Sequence, residues 1–129
     1  MNYPLLQTRG KSGASYKVVA YTEMVSHGVY KPTMGDYVDS FYANLQKWRS
    51  ETYYLSSAVE LQKHPGFQAI VRMGEAVVPL ILDDLKRNPS LLSLALVAIT
   101  GESAVPDSDR GNVRAMANAW IAWGQRNGL

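Results

Sequence analysis

The stretch Gly74-Glu75-Ala76-Val77-Val78-Pro79-Leu80-Ile81-Leu82 decides the fold class, together with Ala95-Leu96-Val97-Ala98-Ile99-Thr100-Gly101-Glu102 and Trp120-Ile121-Ala122-Trp123-Gly124. Apolar residues come in blocks of helical length, and glycine or proline punctuates each block, which is the pattern of short packed helices. Pro79 falls in a first turn, where its missing N–H leaves no intrahelical bond unmade. That helix runs through Leu80, Ile81, Leu82 and Leu85 to about Asn88-Pro89, with Lys86 and Arg87 placed against the helix dipole. Ser90 can cap a further helix through Leu91, Leu92 and Leu94 to Ile99, stopping at Gly101. Being apolar on nearly every side, it is expected to be the most buried. The last helix, from about Gly111 to Arg126, sets Val113, Met116, Ala117, Trp120, Ile121 and Trp123 on one stripe.

Working back from Gly74, Pro65 opens a helix carrying Phe67, Ile70, Val71 and Met73, and Gly74 is a left-handed stop. A shorter helix precedes it, with Ser57 and Glu60 at capping-box spacing, and ends before Pro65 because the residue before proline resists helical geometry. Tyr37, Val38, Phe41, Tyr42, Leu45 and Trp48 recur at three- and four-residue steps, an amphipathic helix with Asp36 as its expected N-cap. Residues 1–35 show no such period. They hold Pro4, Gly10, Gly13, Gly28, Pro32 and Gly35, and read as an extended arm in which Ser15 to Thr22 has strand composition. The expected organisation is therefore an arm, 1–35, and a helical domain, 36–129.

A chain of 129 residues can bury a core without disulfide or metal staples. It has no cysteine, which excludes disulfides, thiolate metal sites and thiol nucleophiles and is compatible with a reducing compartment. No run approaches the roughly 18 consecutive apolar residues of a membrane span, and the first residues lack the order of a signal peptide. A cytoplasmic protein is expected. The formal net charge of +2 is too small to imply nucleic acid by itself. Its distribution is uneven: residues 1–35 hold four basic groups against one acidic, net +3, and residues 36–129 hold nine against ten, net −1.

Candidate chemistry is sparse. His27 and His64, the two histidines, have no partner at metal-ligand spacing. His64 beside Pro65 suits closure of a helix end, where a ring can meet free carbonyls or the helix dipole. Asp107-Ser108-Asp109 resembles a fragment of a calcium loop without its third ligand or closing glutamate, so one of the two aspartates is expected to cap the last helix. Asp83 and Asp84 point about 100° apart and read as a solvated face. Gly-x-Ser-x-Gly does not occur, and Gly10-Lys11-Ser12-Gly13 lacks both the upstream glycine and the strand of a phosphate loop. No cofactor or metal is expected, nor is the chain expected to be an enzyme.

The helical pair at Gly74 to Leu85 and Leu94 to Gly101 resembles a HEAT-type repeat. A wider set is similar to a group of small uncharacterised bacterial proteins, often encoded in toxin–antitoxin-like gene pairs. It comprises Trp48, Glu51-Thr52, Ser56-Ser57, His64-Pro65, Met73-Gly74, Val78 to Leu82, Ile99-Thr100-Gly101, Arg110-Gly111 and Trp120 to Gly124. The likeness covers roughly residues 41–128. It departs where the group carries aromatics and this chain has Leu91 and Leu92, and in the basic arm. The resemblance implies an antitoxin- or immunity-type partner of a neighbouring bacterial protein, and no catalytic residues.

The expected fold is all-α: five or six short helices with a HEAT-like central pair and an extended arm. The expected function is non-enzymatic protein binding through Tyr16, Tyr21, Tyr30, Tyr53, Tyr54 and Trp123, since a few aromatic anchors supply most of an interface's energy. Self-association is compatible with it. The alternative is a nucleic-acid-binding accessory in which Arg9, Lys11, Lys17 and Lys31 contact phosphates and the interleaved tyrosines stack on bases.

Overall fold

The computed structural model describes residues 33–129, and every regular element among them is helical. Six α-helices appear among the described residues: α1 (Met34–Thr52), α2 (Ala58–Lys63), α3 (Pro65–Met73), α4 (Val78–Arg87), α5 (Ser93–Thr100) and α6 (Val113–Arg126). Single 3-10 turns lie at Gly74–Val77 and Asp107–Asp109. The expected strand at Ser15 to Thr22 and the rest of the arm through residue 32 lie outside the described residues. The chain divides into two compact units at Met73/Gly74, and helix α1 already includes Met34 and Gly35.

In the first unit, the N-cap of α1 is Thr33 rather than Asp36. Thr33 Oγ1 accepts the Asp36 N–H at 3.2 Å, and Asp36 Oδ2 accepts the Thr33 N–H at 2.9 Å, a complete capping box that makes Asp36 its acidic third residue. Desolvation raises the Asp36 carboxyl above the usual carboxylate range against the pull of the Thr33 N–H, and the charge of Asp39 adds to the rise. The buried stripe of α1 is Phe41, Leu45, Trp48 and Thr52, with Ser40 and Asn44 beside it; Tyr37 and Val38 are only half-buried. This stripe packs on α3, which buries Phe67, Ala69, Ile70 and Met73.

Two contacts fix that pairing. The Trp48 Nε1–H donates to the Leu61 carbonyl of α2 at 2.9 Å while the ring lies 5.6 Å from that of Phe67. At Gly66 the helices approach so closely that an added Cβ would stand 2.8 Å from the Asn44 carbonyl oxygen and 3.2 Å from the Trp48 Cβ. The local signals of α2 and α3 hold as read: Ser57 Oγ accepts the Glu60 N–H, and the chain leaves helical geometry at His64, ψ 137°, before Pro65.

The second unit is built on α4, whose Val78, Ile81, Leu82 and Leu85 are buried and which packs against both α5 and α6. Gly74 at φ 70° and Gly101 at φ 74° are the left-handed stops their positions implied, and Pro79 sits in the first turn of α4. Three expectations fail here. Helix α5 starts at Ser93, since Ser90 Oγ caps a preceding turn by accepting the Leu92 N–H. It is not the most buried helix, for Val97 is 44% exposed and Ala98 is also open, whereas α4 has a partner on two sides. Asn112, not an aspartate, caps α6, its Oδ1 accepting the Ala115 N–H at 3.0 Å.

Residues Pro65–Arg87, taken together, are long and apolar enough to cross a membrane by length and composition. Half of their apolar window is buried inside the protein, and the left-handed Gly74 interrupts the run.

The two glycine crossings separate in a denaturation experiment. At Gly124 an added Cβ would stand 2.6 Å from the Leu82 Cδ1, the free end of a flexible side chain. At Gly66 the obstacle is backbone. Gly66→Ala is therefore expected to lower stability by about 1–3 kcal/mol, whereas Gly124→Ala recovers up to ~1 kcal/mol of helix propensity and stays near neutral. Urea midpoints of the two variants check the order.

Candidate protein-interaction surface

The first unit presents its aromatics at the end of α1. Thr52 Oγ1 donates to the Trp48 carbonyl, Tyr53 is still right-handed helical at φ −58°, and the Leu55 N–H closes the turn on the Thr52 carbonyl at 2.9 Å. With Thr52 the last buried position, the next two side chains leave the core. Tyr53 is 84% exposed and Tyr54 70%, their rings edge-to-face at 5.6 Å.

A shallow, open groove runs from them along α1, lined by Tyr42, Leu45, Gln46, Arg49, Ser50 and Tyr53. Positions 42, 45, 46, 49, 50 and 53 follow the i, i+3, i+4, i+7 pattern that shares one helical face. Tyr42 is partly exposed, its ring set edge-on at 4.9 Å to the buried Phe41. The surface thus combines aromatic faces, phenolic hydroxyls and one guanidinium, a composition typical of protein-binding patches.

Of the expected partner residues, Tyr53 and Tyr54 are brought together on this surface. Trp123 lies apart from them, on α6 of the second unit: it is 8% exposed, stacked edge-to-face on Trp120 at 5.1 Å, and its Nε1–H donates to Glu102. Tyr16, Tyr21 and Tyr30, the phosphate-contact candidates Arg9, Lys11, Lys17 and Lys31, and His27 lie outside the described residues. Tyr42 and Arg49 were missed by sequence reasoning because Tyr42 fits the apolar period of α1. Its distance from Tyr53, three helical turns, was the available signal.

The groups that could suggest catalysis are engaged structurally. His64 Nδ1 accepts the Gly66 N–H at 2.9 Å, so Nε2 carries the ring proton and donates to Glu51 Oε1, also at 2.9 Å. The ring therefore caps the start of α3 and ties it to α1, in place of the expected closure on carbonyls. Asp84 is not part of a solvated face; it is 4% exposed and lies 3.8 Å from the Arg87 guanidinium, which also pairs with Asp83. Asp107 pairs with Arg110 at 3.3 Å. Among the described residues, no three His, Cys, Asp or Glu side chains are grouped as a metal site would require.

No protein-family model, curated protein or solved structure matches this chain.

Glu51 links the two helices electrostatically. Its carboxylate is held below the usual value, first by the hydrogen bond from Lys47 and then by that from His64. A depressed carboxylate stabilises the fold above its unfolded pKa, and that contribution is lost as pH falls through the folded value. Stability measured by urea titration is thus expected to decline from about pH 4.5 downward, and Glu51→Gln to flatten this part of the profile. An unchanged slope would show that the carboxylate has no linked role.

Proposed function

We propose that the protein works by stoichiometric binding of another protein, as a non-enzymatic interaction module. The observation that carries this reading is the pair Tyr53 and Tyr54, 84% and 70% exposed, with Tyr53 lining the α1 groove. Two large aromatic rings left in water on an ordered turn gain little for the fold and much for an interface, where burying such anchors dominates the binding energy. The HEAT-type pairing belongs to the same proposal, supported by the proline-started α4 packed on α5. So does an antitoxin- or immunity-type role beside a neighbouring bacterial protein, which rests on the sequence resemblance.

Tyr53→Ala/Tyr54→Ala in the full chain tests the proposal by co-purification and mass spectrometry, with circular dichroism to verify that the helices are kept. The expected result is loss of a stoichiometric companion, an affinity drop of about 30-fold or more. Retention of the companion by the double variant overturns the assignment to this surface. Deleting residues 1–35 in parallel shows whether the arm contributes. The rival reading, nucleic acid held by the basic arm, predicts affinity that falls steeply with salt, whereas an aromatic interface changes little.

A further inference from the structure

The last turn of α6 runs into a reactive dipeptide. Of the six asparagines in the chain, Asn127 is the one followed by glycine. Glycine presents its backbone nitrogen to the preceding side-chain amide with no Cβ in the way, and that nitrogen is the nucleophile that turns asparagine into a succinimide. The other asparagines lack this opening. Asn88 precedes Pro89, whose nitrogen carries no hydrogen, and the Asn112 side chain is engaged in the cap of α6.

The fold closes this site. Gly128 stands at φ 76°, the left-handed position just beyond a helix. Its N–H donates to the Gln125 carbonyl at 3.3 Å, and the Leu129 N–H donates to the Gly124 carbonyl at 2.8 Å. These are the two bonds of a Schellman motif with Asn127 as its C-cap. The side chain is held as well, the Asn127 Nδ2–H donating to the Trp123 carbonyl at 2.8 Å. For the reaction, the Gly128 nitrogen must give up its proton and the Asn127 side chain must turn its Cγ onto that nitrogen. Neither can happen while both groups are bound to separate helix carbonyls.

We propose that Asn127 is a modification site gated by the C-cap of α6, protected while the last turn is closed and converted to a succinimide when the turn opens. In the open turn the Gly128 nitrogen loses its proton to solvent and bonds to Asn127 Cγ. The Cγ–Nδ2 bond breaks, and the amide nitrogen takes up a proton and leaves as ammonia. Water then adds to one of the two ring carbonyls and breaks its bond to the Gly128 nitrogen: opening at Cγ leaves aspartate, and opening at the backbone carbonyl leaves isoaspartate. Neither product rebuilds the cap. A carboxylate has no N–H for the Trp123 carbonyl, and it sets negative charge at the end of a helix where the macrodipole opposes it. Isoaspartate also lengthens the backbone by one carbon, out of register with both Schellman bonds. The conversion is therefore one-way, and it loosens the turn that carries the buried Trp123. It does not depend on the protein-binding reading above.

The test uses the full chain, incubated in mildly alkaline buffer both folded and unfolded in guanidinium chloride. Conversion is followed by the charge change on ion exchange and located by fragmentation mass spectrometry of the intact chain. In the unfolded chain Asn127 is expected to convert ahead of the other asparagines. In the folded chain it is expected to convert about tenfold more slowly or less, the ratio reporting how rarely the turn opens. Asn127→Asp supplies one product directly, and is expected to speed hydrogen exchange at the Gly128 and Leu129 amides about threefold. Absence of early conversion at Asn127 in the unfolded chain, equal rates in the two states, or unchanged exchange in Asn127→Asp overturns the proposal.

Discussion

Helix α1 can lie against α3 only because residue 66 has no side chain: the Asn44 carbonyl oxygen occupies the space that any Cβ would need. This approach brings the Trp48 indole within reach of both the Leu61 carbonyl and the Phe67 ring. A buried indole N–H without an acceptor would cost roughly 1–3 kcal/mol, so the position of α2 is set by the same contact. His64 completes it, since its ring spans from the Gly66 N–H to Glu51 on α1. One glycine therefore fixes three helices, and with them the point at which α1 leaves the core.

The exposed tyrosines are a consequence of that geometry. Thr52 is the last residue of α1 with a place in the core, and the chain must turn within a few residues to start α2 at Ser57. Tyr53 and Tyr54 occupy the turn with no interior to enter. Polar groups in the same region are engaged by the architecture: both nitrogens of His64 are bonded, and Ser57 caps α2. What the turn leaves exposed is aromatic area, the two rings set edge-to-face.

In the second unit the corresponding approach is between α4 and α6, where Gly124 faces Leu82. Because a side-chain methyl rather than a carbonyl stands opposite, this contact is softer, and the core relies on Trp120, Leu85, Leu92 and Leu96 to fill its volume. The glycines that stop the chain before Glu75 and after Thr100 place acidic residues on the outside of this core, where a polar rim forms without burying charge.

Much of the local structure was legible in the sequence, because caps and stops act within a few residues. Pro79 in a first turn, Gly74 and Gly101 in left-handed conformation, Ser57 as a cap and the break before Pro65 follow from φ/ψ restrictions and orphan backbone groups, which need no distant partner. The caps of α1 and α6 were read as Asp36 and an aspartate at 107 or 109, but Thr33 and Asn112 hold those positions, because the residue at which each helix starts selects which side chain reaches the free N–H groups. Burial was a different matter. The apolar α5 leaves Val97 in solvent, Trp123 of the last helix goes inside, and Asp84 is buried beside Arg87, since each depends on which residues distant in sequence cover that face. The sequence by itself determined that the chain is helical and where its helices stop; only the tertiary structure decided which aromatics are core and which carboxylate is buried, because these depend on packing across helices and not on neighbours along the chain.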